Sequence, residues 1–353
     1  MNTDRLSIYA VGDTRDAKNN RPNPESYFEL ALPTLKQADI LFGQLEAAIT
    51  NPERVSMLTY AGFDVLSFAS NHVLNWGEEA LLKTIDTLTR NNIQPIGVGR
   101  NIDEARKPVI FERKGNKVGF LAYCSVLPKG QEAGPNKPGG APMRVSTYYE
   151  QIDWQPGTPP KIITVANKDD LAAMVDDVKK LRPQVDVLIM SIHWGVHFVP
   201  AVIAMYQKEV AYAAIDAGVD LILGHHAHIL KGIEVYKGKA IFYSIGNFVS
   251  PSLKGVKSLV AELYGEVDDP EYPEYNAPVD SRKSSMAKCI ISNKEIEKVS
   301  YLPIMINGHA QPEILPRSDK RSSEVVDYIE WCCRDQGLDT KFSREGDEVV
   351  IGT

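Results

Sequence analysis

Cysteine is scarce in this chain: Cys124, Cys289, Cys332 and Cys333 are the only four in 353 residues. None stands in a CxxC pair, and adjacent Cys332 and Cys333 make a poor disulfide framework, so reduced, structural thiols are expected. No segment approaches the roughly 18 consecutive apolar residues that a membrane span needs. The start, MNTDRLSIYAVGD, lacks a basic stretch leading into a long apolar segment, and it lacks a small-residue cleavage site. A cytoplasmic location is therefore expected. Positive charge is not in excess either. With 39 Lys and Arg against 46 Asp and Glu, the formal net charge is −7, which argues against a nucleic-acid partner held by phosphate neutralisation. Histidine is scarce too, at 7 residues. Yet His72, His193, His197, His225, His226 and His228 fall in three short segments, and only His309 stands apart.

What is present is ordinary globular composition, 43% hydrophobic and 24% charged, on a chain long enough for ample core. Strand-like runs alternate with helical patterns, which indicates an α/β or α+β domain. LSIYAVGD, ADILFGQLE, FDVLSFASNH, VDVLIMSIHWG and VDLILGHHAH read as strands, and KVGFLAYCSV follows PVIFERKG through a turn at Gly115. GEEALLKTIDTLTRNN reads as an amphipathic helix with Glu78 and Glu79 in its first turn. Residues 128–160 are rich in Pro and Gly and read as a long loop or lid. Residues 265–285 read as a second surface excursion. The expected organisation is one domain over 1–315, followed by a helix and peripheral tail over 316–353.

Polar residues recur where apolar strands end. Asp13 follows LSIYAVG, Glu46 follows ADILFGQL, Asn71 and His72 follow FDVLSFAS, His193 follows VDVLIMSI, and His225, His226 and His228 follow VDLILG. A single histidine at a strand end is usually a turn residue, and Asp13 or Asn71 alone would read as a turn or cap. Their joint recurrence carries the inference. In open α/β sheets the loops beyond strand carboxyl ends form the ligand crevice, and carboxylate, amide and imidazole groups gathered there suit one or two divalent metals. Mixed oxygen and nitrogen ligands accommodate manganese, iron or zinc.

GDTRD, ADILFGQLEAAIT, AGFDVLSFASNH, IHWG, AGVDLILGHHAHILKGIEVYKGK and FYSIGNF, in this order over residues 7–250, resemble the bacterial poly-γ-glutamate capsule-synthesis (CapA-type) family, which is related to the calcineurin-like metallophosphoesterases. The resemblance implies a four-layer αββα sandwich of the metallo-dependent phosphatase type. It also implies roles. Asp13 and His228 would hold one metal; Asn71, His193 and His226 would hold a second; Glu46 would bridge the two. His72 corresponds to the histidine that stabilises developing charge or protonates the leaving group. Phosphoesterases begin DxH, whereas Asp13-Thr14-Arg15 puts a guanidinium in the histidine's place, suited to an anionic substrate group. Gln44 stands where the capsule family has the Asn of GNLE, and His197 where it has a Glu after HWG. Trp194, His197, His225, Asn247 and Gln44 are candidates for substrate contacts or for hydrogen-bond partners behind the ligands. Three functions follow as expectations. One is a metal-dependent hydrolase acting on a phosphoester or on a peptide or γ-glutamyl substrate. Another is an enzyme of γ-glutamyl amide chemistry or epimerisation at the same site. The last is a non-catalytic accessory subunit with a biosynthetic synthetase as partner.

Overall fold

The computed structural model describes residues 5–15, 23–49, 51–251, 269–275 and 277–352. Residues 16–22 of the turn-rich stretch after the first strand lie outside the described residues, as do 265–268 and 276 of the expected 265–285 excursion.

The alternation in the sequence resolves into two large sheets, beside two small two-stranded ones. In the larger, strands Leu6–Thr14, Ile40–Leu45, Val65–Ser67 and Gln94–Ile96 run parallel and in this spatial order. Lys283–Ser292 and Glu295–Ile306 extend it antiparallel on the other side of the first strand. In the smaller sheet Asn116–Cys124, Val187–His193, Leu221–His225 and Lys239–Phe242 are parallel neighbours, and antiparallel Val109–Arg113 and Ile233–Tyr236 form its edges. Parallel strands need both faces covered, and their near-continuous burial meets that need.

Side-chain alternation shows what covers each face. Phe42 of the larger sheet stacks on Phe120 of the smaller, with ring centroids 6.0 Å apart. Leu6, Ile8, Ala10, Ile40 and Val65 join the same core. The opposite face, carrying Tyr9, Val11, Leu41 and Leu66, packs with residues of helices Ser56–Ala61 and Gly77–Arg90. Helix Gly77–Arg90 buries Leu81, Thr84, Ile85 and Leu88, a stripe at helical spacing, with Glu78 and Glu79 at its positive end. On the smaller sheet Tyr123 points the other way from Phe120, and its hydroxyl donates to Asp177 of helix Lys168–Leu181 at 2.8 Å. That helix starts where the Asn167 side chain accepts from the amides of Asp169 and Asp170. The chain is thus a mixed α/β structure with two facing sheets and helices outside them.

Two segments carry more structure than their composition suggests. Within 128–160, Gly139–Gly140 pairs with Val98–Gly99, and Val145–Glu150 pairs antiparallel with Lys161–Ala166. Pro and Gly mark the turns there but do not prevent β-pairing on either side. Over 316–352 the expected helix is Lys320–Asp335, and strands Lys341–Glu345 and Glu348–Gly352 follow it. Glu348–Gly352 pairs with Glu295–Ile306, so the larger sheet continues into the C-terminal segment. All four cysteines are free and buried. Among the described residues no helix is long and apolar enough to cross a membrane.

Candidate metal centre

The carboxyl ends of the parallel strands of both sheets point to one place. Asp13 lies at the end of Leu6–Thr14, and Glu46 immediately follows Ile40–Leu45. Asn71 and His72 lie in the turn after Val65–Ser67, while His193 and His225 end their strands. Close backbone approach makes this convergence possible. A Cβ on Gly12 would lie 2.0 Å from the Gly246 carbonyl oxygen, to which the Asp13 amide donates at 3.1 Å. A Cβ on Gly224 would meet the Tyr243 carbonyl oxygen at 2.3 Å. The turn after Gly224 then places His226 at φ +87° and His228 at φ +55°. Left-handed backbone is disfavoured for residues with a Cβ and concentrates at functional sites.

Ligand atoms of Asp13, Glu46 and His193 all fall within 4.8 Å of one another. His193 Nε2 lies 2.8 Å from Asn71 Oδ1, 3.2 Å from Glu46 Oε1 and 3.2 Å from His226 Nδ1. His228 Nδ1 is 3.0 Å from Asp13 Oδ2 and 2.7 Å from Asn247 Oδ1. The His226 amide donates to Asp13 Oδ2 at 3.2 Å, and His225 Nδ1 lies 3.6 Å from Asp13 Oδ1. Metal–ligand bonds of about 2.1 Å set the edges of a coordination polyhedron at about 3.0 to 3.4 Å, so the 3.2 Å separations of His193 Nε2 from Glu46 Oε1 and from His226 Nδ1 match donor atoms around a cation. Asp13 Oδ1, Glu46 Oε1, His193 Nδ1 and both ring nitrogens of His225 are buried without a hydrogen-bond partner. Buried carboxylate oxygens left this way are costly unless a positive charge joins them. The donor set therefore fits a divalent metal.

The electrostatics agree. Burial, reinforced by the Asp13 carboxylate, pushes Glu46 up to about 8. Burial also acts to raise Asp13, but its contacts with His225 and His228 prevail and hold it well below the usual carboxylate range. Burial drives His193 and His226 well below ordinary histidine values, which leaves their lone pairs free for a metal. His228 goes the other way, because its contact with Asp13 outweighs burial. Burial and the neighbouring His228 bring His72 down to about 4.

The remaining candidates divide. His197 reaches the cluster from the loop after His193, its ring 3.8 Å from that of His226 and 5.2 Å from that of His228. Asn247 stands behind His228, and its Nδ2 donates to the Tyr275 hydroxyl at 2.7 Å. Trp194 is fully buried, donates to the Tyr243 carbonyl at 2.9 Å and stacks on that ring, so it packs below the site. Gln44 donates to the Leu45 and Ala69 carbonyls, each at 3.3 Å, and braces the backbone before Asn71. His72 Nε2 lies 3.5 Å from Glu46 Oε2, and Arg15 and His72 line a cavity of about 340 Å³ that also touches Glu46. His309 is remote and exposed, near Glu274.

Sequence reasoning missed three participants. Ser70 Oγ accepts from the His72 amide at 3.1 Å and lies 3.5 Å from Glu46 Oε2. Asn75 Nδ2 lies 2.6 Å from His72 Nδ1. Both stand within three residues of His72, a signal that was available. Tyr275 arrives from a distant segment and carries no local sign.

The family model described as bacterial capsule synthesis protein PGA_cap matches residues 8–252. The PGA biosynthesis protein CapA of Bacillus subtilis is 28% identical over 268 residues, covering 70% of this chain and 63% of that protein. The capsule biosynthesis protein CapA of Bacillus anthracis is 26% identical over 269 residues, covering 70% and 60%. A probable polyglutamine synthesis accessory protein of Mycobacterium tuberculosis is 31% identical over 229 residues, covering 62% and 55%. The chain thus spans less than two thirds of the length of these relatives. Since the family match runs from the first strand past His228 and Asn247, and so takes in the candidate ligands from Asp13 to His228, the chain belongs to the bacterial capsule-synthesis family of CapA-type proteins.

Proposed function

We propose that this protein is a metal-dependent hydrolase with a phosphoesterase-type site, acting in the synthesis of a capsular or γ-glutamyl polymer beside a synthetase partner. Kinship with the four-layer metallophosphatase sandwich is part of the same reading. The observation that supports it most directly is the meeting of Asp13, Glu46 and His193 within 4.8 Å, with Asn71, His226 and His228 around them. Asp13 and His228 would hold one cation, Asn71, His193 and His226 another, and Glu46 would face both. Manganese, iron or zinc bound there supplies Lewis acidity and activates water at neutral pH.

The chain's own residues do the rest. Arg15 offers a fixed guanidinium fork to the anionic oxygens of the substrate. The Asn75 side-chain amide lies 2.6 Å from His72 Nδ1, while Nε2, 3.2 Å from the Asn71 side-chain amide, is the nitrogen facing Glu46. From there His72 hydrogen-bonds or protonates the departing oxygen. Asn247 Oδ1 accepts from His228 Nδ1, which would orient the ring and leave Nε2 as the nitrogen offered to a cation.

Aryl phosphate turnover that is lost with a chelator and restored by manganese tests the reading; no turnover of any mono- or diester counts against it. The relatives' names favour two other readings of the same site. Incubation of glutamyl peptides in deuterated water separates amide hydrolysis from epimerisation. A purified protein with no bound metal and no stabilisation by metal would favour the non-catalytic accessory role that the Mycobacterium tuberculosis relative's name suggests.

A further inference from the structure

We propose that the cavity beside Glu46 selects the substrate's substituent, and that the substrate is a phosphoryl-type anion bearing an apolar aryl or alkyl body. This assignment rests on the phosphoesterase reading of the metal centre. The cavity holds about 340 Å³, within the range of small-molecule sites. One end is polar: Glu46, His72, Thr14 and Arg15 border it, so it opens directly from the metal ligands. The other walls are largely apolar, with Asn51, Arg54 and Asn75 set among them. Leu45 ends a strand of the larger sheet, Ala48 and Ile49 follow Glu46, and Met57 and Leu58 come from helix Ser56–Ala61. These side chains are buried, with relative exposures of 2% for Met57 and 3% for Leu58, and so present a fixed surface. Trp76 also lines the cavity and is 56% exposed, which puts an aromatic face where the cavity meets solvent.

Charge and polarity set the selection together. Among the described lining residues Glu46 is the one acidic group, and Arg15 supplies positive charge beside it, so an anionic head is favoured at the metal end. A body rich in hydroxyls or carboxylates would leave polar groups unpaired against Leu58 and Met57, which disfavours it. An apolar body instead gains about fourfold in affinity for each methylene it buries.

Calorimetric titration in manganese-containing buffer, with methylphosphonate and phenylphosphonate as probes, tests the assignment without requiring turnover. Phenylphosphonate is expected to bind at least about tenfold more tightly. Leu58→Gln, in the wall, and Trp76→Ala, at the exposed mouth, are each expected to shrink that ratio about threefold or more, with metal content confirming that the variants are folded. Equal affinities, a ratio that ignores both substitutions, binding by neither probe, or tighter binding of γ-glutamylglutamate would each overturn the slot. A protein that prefers phenylphosphonate but hydrolyses no ester keeps the slot and loses the hydrolase reading. One that hydrolyses small and bulky esters alike, with equal probe affinities, keeps the hydrolase and loses the slot.

Discussion

Replacing Glu46 by Gln removes a charge while keeping the shape, and the site's electrostatics give this change two opposite consequences. Burial and the Asp13 carboxylate raise Glu46 from an ordinary 4.5 to about 8. In the metal-free protein, therefore, the folded state holds a proton on Glu46 that the unfolded state has already lost. Stability then falls as pH rises towards 8. Below pH 6.5 the trend is masked, because His72, His193 and His226 have lowered folded-state values and contribute stability that grows as pH rises. Asp13, held low, acts only below the carboxylate range. Above 6.5 the opposition ends, and His228, raised by Asp13, loses stability in the same direction as Glu46. From pH 6.5 to 8, at about 1.4 kcal/mol per pH unit, Glu46 alone accounts for a loss of about 2 kcal/mol. Denaturant unfolding in EDTA at the two pH values measures it. The wild-type protein is expected to lose about 2 kcal/mol or more, and Glu46→Gln markedly less, so that the variant is the more stable of the two at pH 8. The same variant is expected to lose most of its metal. Parallel pH slopes for the two proteins, or wild-type metal content in Glu46→Gln, would refute the placement of this carboxylate between the cations.

The other outcomes are more direct. His193→Ala and His226→Ala each lower metal content by elemental analysis, whereas His309→Ala, an exposed position beside Glu274, leaves it unchanged; equal loss in all three would dissolve the grouping. His72→Ala keeps most of the metal while slowing aryl phosphate turnover by about 10²–10⁴-fold, the usual span for a lost acid or base, and a proportionate loss of metal would reassign His72 as a ligand. Asn247→Ala loosens the hold on His228 and weakens metal affinity by about 10–100-fold in a competition titration with a chelating dye. Phe120→Ala removes the ring stacked on Phe42 between the sheets and costs about 3–5 kcal/mol in denaturant unfolding without moving any ligand.

Much of this site was legible because strand ends are marked locally. An apolar run stops at a polar residue, and Asp13, Glu46, Asn71, His193 and His226 each stand at such a stop, so periodicity and residue type sufficed to single them out. Gly115 in its hairpin and Glu78 and Glu79 at a helix start were legible for the same reason: turn chemistry and the helix dipole act over a few residues. What the sequence could not decide was set by distance along the chain. That Asn71 and His193, 122 positions apart, stand 2.8 Å from each other depends on two sheets facing across Phe42 and Phe120. That Trp194 packs on Tyr243 while its neighbour His193 enters the cluster depends on which side of a buried strand each occupies. The continuation of the larger sheet into Glu348–Gly352 rests on pairing with Glu295–Ile306, a non-local contact with no mark of its own in either segment. Local chemistry determined the kinds of group and the places where strands release them; only tertiary packing decided which of those places coincide, because hydrophobic burial is non-directional and fixes relative position through the whole core at once.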